Sequence, residues 1–349
     1  MLVWFIMFII IVLLGAIKTS YPNNKKIFLF LVAITIVFFV GSRDATIQHG
    51  TDLNNYYRLY GRAIELGWKD FIETSEMEKG YLLVNFILAK IVPWQQFILY
   101  AQAAFCTGAV LWFIYKNTEN IYAATLFFVS FGSFQFFLTG FRQAVAMAIC
   151  IFAYEAAKNK KLLKFIILVL IAATMHKAAL VFLVMYLVLN IKDKPRNNVV
   201  LISCIFVLFF FVPQILDLGN ALLDKEYVEG YIGSVLGGLV PIVIHLLTIL
   251  LTVFAKKDKE KISKEKIMPL LRTTIISGGI YCMRYFALVL ERISFYFNFA
   301  TPVLLAENVR SVSGIKNRTL LQFLAVILSA VLFLWRVTSQ VGEYHFFWG

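Results

Sequence analysis

Residues 165–191 read FIILVLIAATMHKAALVFLVMYLVLNI, an apolar run interrupted near its middle by His176. Basic links flank the run on both sides, at residues 158–164 and 192–198. Short loops rich in lysine and arginine lie on the cytoplasmic side of a membrane, so both ends of the run belong on one side. One straight helix would place them on opposite sides. The run is therefore predicted to be a hairpin that turns near residues 174–177, with His176 at its tip where water can reach it.

The composition of the whole chain places it among membrane proteins. Of its 349 residues, 60% are hydrophobic and 16% aromatic, and the mean hydropathy is +0.79. Soluble domains are less apolar. We predict an all-α polytopic fold of about 11–13 transmembrane helices, some of them short, re-entrant or broken, in a single transmembrane domain over residues 1–349. Residues 1–17 lack the basic start and the cleavage site of a signal peptide, so we expect a retained first helix.

The net charge of +13 is explained by membrane topology, and no nucleic-acid partner is predicted. The excess lysines and arginines fall in short links at residues 18–26, 158–164, 192–198, 256–266 and 310–318, the pattern of cytoplasmic loops. The four cysteines are isolated, and the four histidines lie far apart with no metal-ligand spacing. Neither a metal site nor a soluble cofactor is therefore predicted.

Two polar segments are predicted to lie on the extracytoplasmic side. Residues 42–80 form the longer loop and hold 12 charged side chains between apolar segments. The acidic segment 217–236 forms the second loop. Between them, residues 81–115 must cross an odd number of times, for example as a re-entrant piece over 81–92 followed by a full span over 94–115.

Counting crossings from the basic links brings a set of ionisable residues to the extracytoplasmic side. They are Arg43, Asp44, Asp52, Glu78, Arg142, His176, Arg284, Glu291 and Arg292. Ionisable groups at or inside apolar segments are costly and are functional by default. Structural alternatives remain, because Arg142 could snorkel from a helix end and Arg284 could pair internally with Glu291 or Asp52. Gathered arginines suit a diphosphate, whose oxygens a guanidinium group binds in a bidentate way, and a neighbouring carboxylate or histidine could supply a base.

The order of short motifs along the chain resembles the EpsG family of Wzy-type bacterial polysaccharide polymerases. The motifs are RDATIQHGTDLNNY from Arg43 to Tyr56, EKGY from Glu78, GFRQAVAMAI with Arg142 and Gln143, MHKAAL around His176, and ERISFYF with Arg292 and Tyr296. Each motif is short, and their common order and spacing carry the resemblance, which covers about residues 41–305.

The resemblance implies a membrane glycosyltransferase with a GT-C-like fold, in the cytoplasmic membrane of a bacterium, with its site on the outer face. Such enzymes polymerise undecaprenyl-diphosphate-linked oligosaccharide repeats into O-antigen, capsule or exopolysaccharide. Membrane lipid and a chain-length regulator are the other partners that the family implies. Two alternatives use the same lipid-linked substrate: a flippase or transporter that moves it, and an outer-face ligase with another acceptor.

The same resemblance assigns roles to individual residues. The residues expected to bind substrate are Arg43, Arg142, Gln143, Arg284, Arg292 and Tyr296. The candidates for the base that deprotonates the acceptor hydroxyl are His176, Asp52 and Glu78. The arginines would hold the donor diphosphate and stabilise the charge that develops on it as it leaves.

Overall fold

The computed structural model describes residues 2–20, 24–47, 52–215, 217, 235–258, 264–338 and 343–348. The helices are labelled in chain order α1 (Leu2–Ser20), α2 (Lys25–Gly41), α3 (Asp52–Glu65), α4 (Trp68–Glu73), α5 (Lys79–Ile91), α6 (Phe97–Asn117), α7 (Ile121–Ser130), α8 (Ser133–Phe137), α9 (Phe141–Lys158), α10 (Leu162–Met175), α11 (Val184–Asn190), α12 (Pro195–Phe210), α13 (Val235–Phe254), α14 (Lys264–Cys282), α15 (Leu288–Asn298), α16 (Ala300–Ser311) and α17 (Ile315–Arg336). Short 3₁₀ helices follow α10 at Lys177–Leu183 and α14 at Met283–Tyr285. The prediction of an all-α protein is confirmed.

Length and apolarity mark two of the described helices as candidate membrane spans, α6 with 21 residues and α17 with 22. The pair α15 and α16, bent by 52° where they meet, adds a third if it is one broken span. Several shorter apolar helices accompany them. The chain is a helical membrane protein with broken elements, while the count of 11–13 spans and the GT-C-like architecture stay predictions.

One end of the molecule gathers the basic links. Lys158 Nζ donates to Asn117 Oδ1 at 2.7 Å, at the end of α6. Lys25 forms an ion pair in the loop that follows α6. The Ser313 backbone N–H donates to the Lys256 carbonyl at 2.9 Å, which joins the links before α14 and α17. These residues define the lysine end of the molecule, and their gathering agrees with a common side for the basic links.

The other end of α6 meets the residues around Gly41. Gln96, just before α6, donates from Nε2 to the carbonyls of Gly41 at 2.6 Å and Arg43 at 2.8 Å. Residues 343–348 return to the same place, where backbone hydrogen bonds of 2.8 and 3.1 Å pair them with residues 42–44. These segments define the motif end. Because α6 runs from this end to the lysine end, the basic links and the residues around Gly41 lie at opposite ends of α6. This agrees with the predicted separation, while the side of the membrane that each end faces stays a prediction.

The run 165–191 forms the predicted hairpin. Helix α10 ends at Met175, and His176 takes extended backbone angles (φ −158°, ψ 117°) before the chain turns back through the 3₁₀ helix into α11. At the end of α11, Asn190 Nδ2 donates to the Ala157 carbonyl at 3.1 Å, beside the link where α10 begins. Both ends of the hairpin therefore lie at the lysine end, and His176 lies at its tip.

The region 81–115 divides as predicted into a short piece and a span. Helix α5 has only 13 residues and is followed by α6. The Tyr60 hydroxyl donates to the Val92 carbonyl at 3.0 Å, which ties the end of α5 to the loop 42–80. The predicted second loop, residues 217–236, lies outside the described residues except for 217, 235 and 236.

Candidate functional site

Glu78 lies at the centre of a charged cluster that three helix ends create. It immediately precedes α5, while Arg142 is in the first turn of α9 and His176 terminates α10. Arg142 Nη1 donates to Glu78 Oε2 at 2.6 Å, and His176 Nδ1 lies 3.1 Å from Glu78 Oε1. The Lys177 backbone N–H donates to the same Oε1 at 3.2 Å. Three motifs from distant parts of the sequence thus meet at the Glu78 carboxylate. Glu78, Arg142 and His176 are called the first cluster.

These contacts determine the ionisation of Glu78. Burial raises the pKa of Glu78, but the hydrogen bonds from His176 and from backbone N–H groups, together with the charge of Arg142, outweigh burial and lower the pKa to about 2. An ionised carboxylate can only accept hydrogen bonds. His176 Nδ1 is therefore the donor to Glu78, and in the neutral ring Nε2 carries the lone pair that can take a proton.

Replacing Glu78 with glutamine is expected to destabilise the protein in a pH-dependent way. A pKa lowered from 4.5 to about 2 corresponds to about 3 kcal/mol of folding free energy favouring the ionised group. This contribution is complete above a pH of about 4.5 and is lost as the pH falls through about 2. The difference in thermal unfolding midpoint between wild type and Glu78→Gln in detergent should be widest near neutral pH and shrink toward pH ~2. A difference that does not depend on pH would contradict this account of the cluster.

Two buried tyrosines lie against the first cluster. Tyr296 is completely buried, within range of the charges of Glu78 and Arg142, and its hydroxyl has no hydrogen-bond partner among the described residues. Burial raises the pKa of Tyr56, a rise that Arg142 opposes, and the Tyr56 ring stacks on Phe141 with centroids 5.1 Å apart. Arg142 Nε is also buried without a partner in the described part of the chain. Because buried polar groups normally have partners, these free donors favour a ligand with oxygen acceptors.

The approach of α5 to α10 depends on Gly80. A Cβ atom at this position would lie 2.7 Å from the backbone oxygen of Thr174 in the last turn of α10, and closer still to its hydroxyl. Only a residue without a side chain lets Glu78 reach His176 in this way.

Replacing Gly80 with alanine is therefore expected to separate α5 from α10 and to cost about 1–3 kcal/mol of stability, the usual range for overpacking. Thermal unfolding of the purified protein measures the loss. Gly108→Ala is the matched control, because nothing lies within 4 Å of a Cβ placed at Gly108 of α6. Equal unfolding midpoints for the two variants would show that the helices can part without strain.

An apolar groove of about 570 Å³ opens from the first cluster between α5, α6, α9 and α10. Three of these helices also carry the cluster residues at or beside their ends, so the groove leads toward the cluster. The lining residues nearest the cluster are Tyr81, Val145 and Met175. Farther along, the walls are aliphatic and aromatic, with Asn85 and Gln102 as the polar side chains. The arrangement fits an amphiphile with an anionic head and an apolar chain.

Comparison with known proteins identifies the family of this chain. A model of the EpsG family matches residues 26–348, nearly the whole chain. The chain belongs to the EpsG family. EpsG is a polysaccharide polymerase-like family, and the match confirms the resemblance carried by the motifs. No curated protein and no solved structure matches this chain.

A second charged cluster in this EpsG-family protein contains Arg284. Its Nε donates to Glu291 Oε2 at 2.8 Å, and the Tyr281 hydroxyl donates to Glu291 Oε1 at 3.1 Å. Of the two acids predicted as partners of Arg284, Glu291 is therefore the one that pairs with it. Arg336, the last residue of α17, is 5% exposed and lies within range of the charges of Tyr281 and Glu291. These four residues are named the second cluster.

Arg336 is a site residue that the sequence prediction did not include. The available signal was an arginine at the end of an apolar run, whereas Arg284 was singled out because it lies inside one. At a helix end, however, a snorkelling arginine is an ordinary alternative. The packing of α17 against the turn at Gly132 shows that the guanidinium group points inward. A Cβ atom added at Gly132 would lie 2.7 Å from Arg336 Nη1.

The remaining predicted residues of the EpsG motifs have different positions. Gln143 donates from Nε2 to the Arg292 carbonyl at 2.5 Å and so ties α9 to α15, while the Arg292 side chain itself is exposed. Asp52 begins α3 and is exposed. It lies one turn before Tyr56 and hydrogen-bonds to none of the charged residues of the first cluster among the described contacts. Among the described contacts, neither the Arg292 side chain nor the Asp52 side chain hydrogen-bonds to a residue of either cluster.

Arg43 is enclosed by protein, in contrast to the predicted diphosphate contact. Its side chain is 1% exposed, donates to the carbonyls of Val40 at 3.1 Å and Leu138 at 2.9 Å, and lies 5.8 Å over the ring of Trp4. These bonds join α2 to the turn before α9. The structure gives Arg43 these structural contacts, and its Nη1 is buried without a partner among the described residues. A diphosphate contact for Arg43 stays a prediction, and Arg43 is left out of the site proposed below.

Proposed function

We propose that this EpsG-family protein polymerises undecaprenyl-diphosphate-linked oligosaccharide units by glycosyl transfer. The motif end would face the outside of a bacterial cytoplasmic membrane. The observation that carries the proposal is the position of the first cluster beside an apolar groove whose lining residues Tyr81, Val145 and Met175 lie within three residues of Glu78, Arg142 and His176. A lipid diphosphate needs cationic donors for its head and an apolar channel for its chain, and the Arg142 end of this groove offers both.

Arg142 is the residue proposed to hold the donor diphosphate. Its guanidinium group has five N–H donors and hydrogen-bonds to Glu78 and to the Tyr56 side chain, while Nε is buried without a partner among the described residues. The Tyr296 hydroxyl is a further unused donor beside it. As the bond between the donor sugar C1 and the diphosphate oxygen breaks, negative charge grows on that oxygen, and a fixed cation there lowers the barrier.

His176 is the proposed base. Its Nε2 takes the proton from the acceptor hydroxyl as that oxygen bonds to C1 of the donor sugar, and Glu78 holds the ring through Nδ1 and stabilises the resulting imidazolium. Glu78 itself, with a pKa of about 2, is too weak a base for this step and acts as a positioning residue. Of the three residues predicted as candidate bases, His176 is therefore preferred over Glu78 and the exposed Asp52.

The transfer is tested with purified protein in liposomes and a lipid-linked oligosaccharide repeat as the only substrate. A ladder of products supports the polymerase. Addition of one unit to another acceptor would identify a ligase, and movement of the substrate between leaflets without elongation would identify a transporter. Polymerase is preferred over transporter because the clustered ionisable groups lie at the motif end, whereas a transport path needs polar groups through the membrane.

A further inference from the structure

Tyr56 lies against Arg142 but has no part in the transfer described above. It is 3% exposed, although it belongs to α3 in the polar loop before α5. Its ring stacks on Phe141 with the centroids 5.1 Å apart and the planes 2° apart, and it meets the Tyr81 ring edge to face with the centroids 5.8 Å apart. Phe141 directly precedes Arg142 in the sequence. The packing of the ring therefore fixes the Tyr56 hydroxyl at the first cluster.

The Tyr56 hydroxyl oxygen accepts hydrogen bonds from Arg142 in two ways. One comes from the guanidinium group and the other from the backbone N–H. Arg142 is the second residue of α9, where backbone N–H groups have no carbonyl partner inside the helix. Gly140, the N-cap residue of α9, has no side chain that could accept such a bond. Tyr56 thus caps α9 from a different helix and orients the guanidinium group at the same time.

The hydroxyl proton of Tyr56 remains to be donated. A tyrosine hydroxyl can accept hydrogen bonds and still donate its own proton. Among the described residues no acceptor receives this proton: Asp52 acts on Tyr56 through its charge, and the Glu78 oxygens accept from other groups. A hydrogen bond accepted from a cation also strengthens the hydroxyl as a donor. Because buried polar groups normally have partners, the proton points to an oxygen of a bound ligand.

We propose that Tyr56 belongs to the donor site, where it positions Arg142 and donates its hydroxyl proton to the diphosphate of the lipid-linked donor. This inference rests on the proposed function, because that function supplies the diphosphate. A diphosphate has several oxygen acceptors, so it can receive the Tyr56 proton and the free donors of Arg142 together. The proposal makes α3, a helix of the polar loop, a part of the site.

Binding of a sugar-free polyprenyl diphosphate, measured by titration calorimetry in detergent, tests this role without the transfer reaction. Tyr56→Phe keeps the ring that stacks on Phe141 but removes the hydroxyl. Its Kd for this lipid should rise about tenfold or more, equivalent to about 1.4 kcal/mol. Tyr57→Phe is the matched control and should bind as wild type does, because the Tyr57 hydroxyl has no contact with the first cluster among the described contacts. An unchanged Kd for Tyr56→Phe would overturn the proposal.

A second control separates binding from stability. The Tyr60 hydroxyl donates to the Val92 carbonyl at 3.0 Å, so Tyr60→Phe also removes a hydrogen bond of α3, but not one made to Arg142. It should lower the thermal unfolding midpoint and leave the Kd within about twofold of wild type. If Tyr56→Phe behaves in the same way, its hydroxyl only caps α9 and the proposal is overturned. If Tyr56→Phe does not fold, wild type still decides: a polyprenyl diphosphate with a photoreactive group on its terminal phosphate should label α3, and a label confined to other helices would contradict the proposal.

A double-mutant cycle and the ladder assay complete the test. Because the Tyr56 hydroxyl acts together with Arg142, Tyr56→Phe should change the Kd much less in an Arg142→Gln background than in wild type. Equal changes in both backgrounds would overturn the joint site. If wild type binds the lipid but forms no ladder from lipid-linked repeats, the polymerase fails while the diphosphate contact of Tyr56 stands. If wild type forms a ladder and Tyr56→Phe binds the lipid as well as Tyr57→Phe does, only this inference is overturned.

Discussion

Replacing Arg142 with glutamine is expected to abolish long-chain product while the protein remains in the membrane. Glutamine keeps a hydrogen-bond donor near Glu78 but removes the only guanidinium group that contacts that carboxylate among the described residues. The donor diphosphate then loses its cation both on binding and on departure. Loss of one such electrostatic contact typically costs on the order of 10²–10³ in rate. The rate of ladder formation from purified lipid-linked repeats measures the effect.

The matched control for Arg142 is Arg58, an exposed arginine on α3 outside both clusters. Arg58→Gln removes the same charge from the chain and should leave product length and rate near those of wild type. Arg142→Lys should recover only part of the activity, because an ammonium group lacks the planar fork that binds a diphosphate in a bidentate way. Normal product lengths in Arg142→Gln would overturn the assignment of the donor head.

The hairpin and the two polar ends were predictable because they follow from rules that act along the sequence. Lysines in short links fix the side of each link, and the length of residues 165–191 allows only an even number of crossings between two such links. Those two constraints place His176 at a turn before any packing is known. The turn that carries it was therefore predictable from the positions of the lysines and the length of the run.

The contents of the clusters were less predictable, because they depend on which helices pack together. The Arg43 side chain is oriented by its hydrogen bond to the carbonyl of Leu138, which is 95 residues away in sequence. Glu78 has ordinary neighbours in sequence, and only the approach of α9 and α10 turns it from a candidate base into an acceptor for His176 and Arg142. Distances between helices of this kind are not encoded in the spacing of a single motif.

Sharing of α15 between the two clusters has a mechanistic consequence. A movement of this helix would shift Tyr296 and Glu291 together, and with them one side of each cluster. The bond from Gln143 to the Arg292 carbonyl resists such a movement relative to α9. Gln143 thus fixes the position of α15 relative to α9, and its predicted contact with the substrate stays a prediction.

Replacing His176 with asparagine is expected to lower the rate of transfer by about 10²–10⁴, the usual contribution of a general base. The asparagine amide still donates to Glu78, so the charge balance around Arg142 is kept, but no group remains to take the proton from the acceptor hydroxyl. The effect should fall on kcat, with the KM for the donor within about twofold of wild type, whereas Arg142→Gln should also weaken donor binding. Single-turnover rates, and photolabelling of the groove beside the first cluster with a photoreactive polyprenyl diphosphate, distinguish the two.

The matched control for His176 is its neighbour Lys177, whose backbone N–H also donates to Glu78. Lys177→Gln keeps that bond and removes an exposed charge next to the base, so its rate should stay near that of wild type. If His176→Asn also transfers at the wild-type rate, the proton must leave by another group, and the first cluster would be a binding site only. If both variants lose activity equally, the turn itself and not the imidazole is what the reaction requires. Because the two residues are adjacent at the tip of one hairpin, the comparison isolates the chemistry of the ring from its position.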